Sequence, residues 1–231
     1  MRVSAKALDE NGTPTSTSVT ETRTLLLAVD ATGFDLQVDV TLEKGGKRFD
    51  SLPRFTRQGL HGESEGQQLT VRRLGKDVVK IGERKLDTQV VELEIADKDM
   101  RKITRLNLAL ANHPFVLARQ STAVNPDGDT LQETHVEVTD LRVPRKVLGA
   151  WRTTWRTVTI QKHAAGRIVT EEVHCFDIPG GVVEHTSNEF NDQGKLISQS
   201  QLEMLNYGII TTETALKRRH ASRRSRRAGA K

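Results

Sequence analysis

Apolar and polar residues alternate with a period of two through most of this chain, and that pattern excludes most folds. In "FDLQVDVTLE", Phe34, Leu36, Val38, Val40 and Leu42 fall on one side, and Asp35, Gln37, Asp39, Thr41 and Glu43 on the other. Successive side chains of a strand point to opposite faces, so the segment reads as a half-buried strand. "KGGK" at 44–47 then turns the chain, because glycine reaches positive φ without a Cβ clash. "QQLTVRRL", "DVVKIG" and "TQVVELEI" continue the pattern. "RKITRLNLALAN" fits either a strand or a helix by spacing alone.

A repeat resolves that ambiguity. "TQVVELEI", "KITRLNLAL", "FVLARQSTAV" and "TLQETHVEVTDL" are followed by a second series, "WRTTWRTVTI", "RIVTEEVHCF", "VVEHTSNEF" and "LISQSQLEMLNY". The counterpart of the ambiguous segment is rich in β-branched and aromatic residues, which suit a pleated surface. Both are therefore expected to be strands. Gly, Asn, Asp and Pro turns separate strands about every 10–15 residues, the spacing of an antiparallel meander. The expected fold is all-β to β-rich α+β. It is a curved, half-barrel-like antiparallel sheet built from two tandem meanders at about 79–142 and 145–208. Residues 1–18, small and polar with Gly12-Thr13-Pro14, read as a disordered arm. Residues 19–215 read as one domain, with 19–75 adding strands at one edge, and 216–231 as a disordered basic tail. Alternation predicts one apolar and one polar surface, the apolar one needing a cover.

Charge is unevenly distributed. The net charge of +5 comes from "KRRHASRRSRRAGAK", which holds eight Lys/Arg and no acid. The remaining residues, 1–216, carry 27 basic and 30 acidic side chains, a net of −3. An electrostatic partner is thus an argument about the tail: Lys217, Arg218, Arg219, Arg223, Arg224, Arg226 and Arg227. Aromatics make up 4% of the chain, low for a surface that stacks bases. No apolar run approaches the ~18 residues of a spanning helix. The first residues lack the apolar stretch of a secretory signal.

Several groups resemble chemical sites and fall short. His174 and His185 would face each other if Ile178–Gly181 made a four-residue turn, with Cys175 facing Glu184 on the other side. Two histidines do not complete a tetrahedral zinc site. Cys175 and His174 are adjacent, so on a strand they diverge and form no nucleophile pair. Asp127 and Asp129 flank Gly128 in a turn without the other ligands of a calcium loop. "GLHGESEG" at 59–66 lacks the Lys-Ser/Thr of a phosphate loop. Trp151 and Trp155 share one strand face, with Arg152 and Arg156 on the other. No metal, cofactor or catalytic set is implied.

The Pro179-Gly180-Gly181 turn, the apolar run after it, the next Gly turn and the ending "LEMLNYG" resemble a recurring module. Over 79–208 the chain is similar to the lipoprotein-carrier (LolA-type) fold and related envelope domains of unknown function. The resemblance implies a half-barrel around an apolar cavity, in the cell envelope, and supplies no binding residue position by position. The expectation is a non-enzymatic binding module. Its apolar concave face would hold a lipid-like or lipoprotein-like ligand or a protein partner, lined by Leu106, Leu108, Leu110, Trp151, Trp155 and Phe176. The alternative is nucleic-acid or anionic-surface binding through the tail.

Overall fold

In a computed structural model, residues 1–64, 66–111, 113–178 and 180–208 are described; the basic tail lies outside them. They form strands and no helix. The strands are β1 (Arg2–Leu8), β2 (Pro14–Val29), β3 (Gly33–Lys44), β4 (Lys47–Asp50), β5 (Arg54–Gly59), β6 (Gln68–Ile81) and β7 (Arg84–Ala96). They continue as β8 (Arg101–Leu108), β9 (Val116–Val124), β10 (Thr130–Val147), β11 (Ala150–His163), β12 (Gly166–Cys175), β13 (Val182–Asn191) and β14 (Leu196–Glu203). All belong to one antiparallel sheet in the order β4-β3-β2-β1-β14-β13-β12-β11-β10-β9-β8-β7-β6, with β5 beside β3. The eight strands of the two series are two consecutive meanders, β7–β10 and β11–β14.

Covalent reach requires the sheet to curl. Twelve inter-strand steps separate β5 from β6, roughly 58 Å if the sheet were flat. Residues 60–67 join them directly, and the nine Cα steps from Gly59 to Gln68 span at most about 32 Å. The two edges must therefore approach each other. Because β1 pairs with β14, the strands form one up-and-down antiparallel sheet, curled but not closed, with β4/β5 and β6 as its free edges. Consistent with this curl, β6 comes back against β10. There Val79 and Ile81 pack with Val138, Leu141, Leu117, Ala109 and Trp155.

Three expectations change. The predicted disordered arm is β1 and the start of β2. Val3, Ala5 and Ala7 alternate with Arg2, Ser4 and Lys6, an amphipathic pattern muted by small side chains. Gly12-Thr13-Pro14 belongs to a hairpin turn in which Asp9 Oδ1 accepts from the Asn11 and Thr13 N–H groups, both at 2.8 Å. The N-terminal strands also join beside β14, at the far side from the first meander.

The third change concerns the faces, because the sheet does not keep one buried face. On β7, Thr88 and Val90 are buried, and so are Leu93 and Ile95, which have the opposite parity. A register shift between Arg73 and Gly75 on the paired strand accompanies the switch; such bulges re-aim side chains. On β10, shifts at Val138–Val143 and a positive φ at Arg142 swing the tip of the β10–β11 hairpin. The tip packs Val147 with Val173, Cys175, Ile178, Val183 and Met204, away from the Trp155 side.

Candidate functional site: an aromatic strip at one end of the sheet

Alternate turns of an antiparallel meander lie at the same end of the sheet. One end gathers 30–32, 82–83, 109–115, 148–149 and 176–181, with the segment 204–208. The other gathers 9–13, 45–46, 97–100, 125–129, 164–165 and 192–195. At the first end, Ala109 N–H donates to the Phe115 carbonyl at 2.7 Å and closes one loop. Cys175 N–H donates to the Gly181 carbonyl at 2.7 Å and closes another. These closures bring aromatic rings together. The His113 ring lies 3.9 Å from Phe115 and 4.2 Å from Phe176, centroid to centroid.

A second ring pair lies within the sheet. Trp155 faces His174 across the β11–β12 ladder, and their rings stack at 5.3 Å with 7° between planes. The Thr157 hydroxyl lies 3.0 Å from His174 Nε2, and Glu172 Oε2 lies 3.3 Å from the same nitrogen. Hydrogen bonding from His174 holds the Glu172 carboxyl below the ordinary carboxylate range, against its burial. His185 faces Glu172 on β13. Burial pushes its imidazole down, opposed by the Glu172 charge. Hydroxyl and carboxylate both address one ring nitrogen. A triad instead uses the two nitrogens of the imidazole separately. The cluster therefore orients a stacked ring rather than activating a nucleophile.

The six predicted lining residues are distributed as follows. The pairings Leu106–Arg119, Arg119–Val136 and Val136–Thr159 put Leu106 on the face of Trp155. Leu108 and Trp151 follow by alternation. Leu106, Leu108 and Trp155 are half-buried. Leu110, Trp151 and Phe176 are 72%, 75% and 65% exposed at the end of that face. Arg152, beside Trp151, donates to Asp177 Oδ2 at 2.9 Å and to the Tyr207 hydroxyl at 3.1 Å, tying two end segments together.

The expected histidine pairing is corrected. The β12–β13 loop spans Phe176–Gly181 and the register shifts between Val173 and His174, so His174 faces Val182 and Val173 faces Glu184. Cys175 faces Thr154 and is fully buried. Among the described residues, no three His, Cys, Asp or Glu side chains are grouped to hold a metal. Sequence reasoning missed His113, Phe115 and Leu148, all in turns. Their signal was available, because the turns 109–115, 148–149 and 176–181, all at one end, carry large apolar residues.

A separate cleft of about 480 Å³ lies on the opposite face, between the β10 tip and the β13–β14–β1 strands. Its lining is polar, and Arg145 Nη2 bonds Glu184 Oε1 there at 2.6 Å.

No family model matches this chain, and no curated protein does. Among solved structures, it is similar to a candidate exported protein with a YmcC-like fold from Bacteroides fragilis. That match has 10% identity, covers 89% of this chain and 95% of that chain, and has a TM-score of 0.30. A candidate lipoprotein from Parabacteroides distasonis is similar at 9% identity, over 87% of this chain and 94% of that chain, with a TM-score of 0.26. Likenesses at these TM-scores carry no argument about activity, ligand or location.

Proposed function

We propose that this protein is a non-enzymatic binding module for a lipid-like apolar ligand, held against the face that carries Leu106, Leu108 and Trp155. One observation supports the reading. The Trp155–His174 stack lies on the face of Leu106 and Leu108, and the Phe176–His113–Phe115 contacts lie in the turns at one end of the sheet. Apolar and aromatic groups on one face offer an acyl chain contact area, and burial of that chain supplies affinity at roughly 25 cal/mol per Å². A lipoprotein-carrier role in the cell envelope belongs to the same proposal.

Both tryptophans of the chain, Trp151 and Trp155, lie on this face, so intrinsic fluorescence reads the site directly. Titration with a monomeric lysophospholipid should shift the emission to the blue, and Trp155→Phe should remove most of the change. Native mass spectrometry with lipid extraction should show a stoichiometric acyl ligand. No emission change at saturating lipid, together with a ligand-free mass, sinks the reading.

The tail supports a second reading, nucleic-acid or anionic-surface binding, because residues 217–231 hold eight cations and no acid. Deleting 217–231 should then abolish salt-dependent RNA binding; unchanged binding rejects it.

A further inference from the structure

We propose that the ligand of the Trp155 face carries a neutral polyhydroxyl headgroup, a sugar, held by the polar rows of β11–β14 with its acyl chain toward Leu106 and Leu108. The inference rests on the apolar-ligand reading and names the polar half of that ligand.

The face of Trp155 is the one the sheet curls around. On β14, Ser198, Ser200 and Leu202 are half-buried, whereas Gln199, Gln201 and Glu203 are exposed. On β1, Val3 and Ala5 are half-buried, whereas Arg2, Ser4 and Lys6 are exposed. Register carries the enclosed face across the strands. Val3 faces Leu202, Leu202 faces His185, His185 faces Glu172, and Glu172 faces Thr157, one alternation from Trp155.

That face changes character along the sheet. On β8 and β10 it presents Leu106, Val136 and Val138. Beyond Trp155 it becomes polar. One row runs Thr159, Thr170, Ser187 and Ser200, a hydroxyl on each of four neighbouring strands. All four are half-buried, and the Thr170 and Ser187 hydroxyls lie 2.8 Å apart. The next row is Thr157, Glu172 and His185, with His174 stacked on Trp155. A ligand that is hydrocarbon throughout would strip water from these groups and return no hydrogen bond, which costs affinity. A ligand that ends in hydroxyls would pair with them. Trp155 stands at the boundary, and its indole suits that place, apolar in the ring and polar at the N–H.

Charge narrows the headgroup. No position that β11–β14 turn to this face is Lys or Arg, and the carboxylates there are Glu172 and Glu189. The nearest cation along the hydroxyl row, Arg119 on β9, is two strands from Thr159, roughly 10 Å away. A phosphate headgroup over β12 and β13 would sit beside carboxylates with no cation opposite. A quaternary ammonium would offer the hydroxyl row neither a donor nor an acceptor. Sugar hydroxyls both donate and accept, as the Ser and Thr hydroxyls do.

The test uses the full chain carrying Trp151→Phe, which keeps Trp155 as the only tryptophan. Its emission is followed with monomeric dodecyl maltoside, dodecyl phosphate and dodecyltrimethylammonium, which share a tail and differ in headgroup. The maltoside should bind at least about tenfold tighter than either charged amphiphile. Thr170→Val/Ser187→Ala, its fold checked by circular dichroism, should remove that preference and leave tail binding. If that variant does not fold, the amphiphile series on the parent protein still decides.

Equal affinity for the three amphiphiles overturns the proposal and leaves the apolar-ligand reading standing. Tighter binding of either charged headgroup overturns it as well. A response to maltose itself, with none to the charged amphiphiles, supports the sugar site and sinks the apolar-ligand reading. No response to maltose or to the maltoside sinks both.

Discussion

The two ends of this sheet are made by the same chain reversals, yet one is apolar and the other acidic. The acidic end is built as turns usually are. Asn125, Asp127, Gly128 and Asp129 reverse the chain, with Asp129 N–H donating to Asn125 Oδ1 at 2.8 Å. Asp97 Oδ1 likewise accepts from Asp99 and Met100 N–H, both at 2.9 Å. Side-chain acceptors close these reversals locally and leave charge in water. Turns at both ends are also closed by backbone bonds, and among the described residues the loops 109–115 and 176–181 are closed by these alone, so their side chains are free for other contacts. Some of these, such as Ile178, are buried; others, such as Leu110 and Phe176, face solvent. Exposed apolar groups that no turn requires indicate a surface with a use.

That contrast can be broken by stability measurements. The largest difference is expected between two leucines near the same end. Leu117 is 1% exposed, and Leu117→Ala should cost about 2–5 kcal/mol in urea unfolding. Leu110→Ala should stay within about 0.5 kcal/mol, as for a surface site. A Leu110 cost like that of Leu117 would make the apolar end a structural cap.

Two turn glycines give the next largest effect. Gly166, at the acidic end, has φ 141°, and a Cβ there would strike the Phe190 carbonyl oxygen. Gly149, at the apolar end, has φ 87° with open space around it. Gly166→Ala should cost about 3 kcal/mol and Gly149→Ala about 1 kcal/mol. Equal costs would mean that the apolar end is packed as tightly as the acidic one.

The smallest effect is with pH. Burial lowers the His185 pKa from 6.5, so the unfolded chain takes up that proton more readily than the folded chain. Stability is then full above 6.5 and falls as the pH drops below it. Glu172 acts with the same sign at lower pH. Its folded pKa is depressed, so its contribution is present above the ordinary carboxylate value and lost as the pH falls through the lowered one. His185→Gln should flatten the melting-temperature profile between neutral and mildly acidic pH. A profile left unchanged by that substitution would show that the cluster beside Trp155 is not coupled to folding.

Strands with large side chains were legible from alternation, as at Phe34–Leu42 and in both meanders. β1 was not, because Val3, Ala5 and Ala7 carry too little apolar contrast to separate a strand from a flexible arm. Trp151, Trp155 and Phe176 were legible as apolar candidates on one face. His113, Phe115 and Leu148 were not, because turns were read as spacers and not as an end that collects every second loop. The His174–Glu172 contact was missed because one register shift changes which residues face each other across a hairpin.

By itself the sequence determined the strand class, the turn positions and the segregation of charge into the tail. Those depend on local chemistry: the two-residue period of a strand, the φ freedom of glycine and the side-chain acceptors of Asn and Asp. Only the tertiary structure decided that β1 lies beside β14, that β4/β5 and β6 are the free edges of the sheet, and that both faces bury apolar clusters. Backbone hydrogen bonds between strands are nearly blind to sequence. The choice of neighbour therefore comes from chain closure, bulges and packing over long range, and no local pattern encodes it.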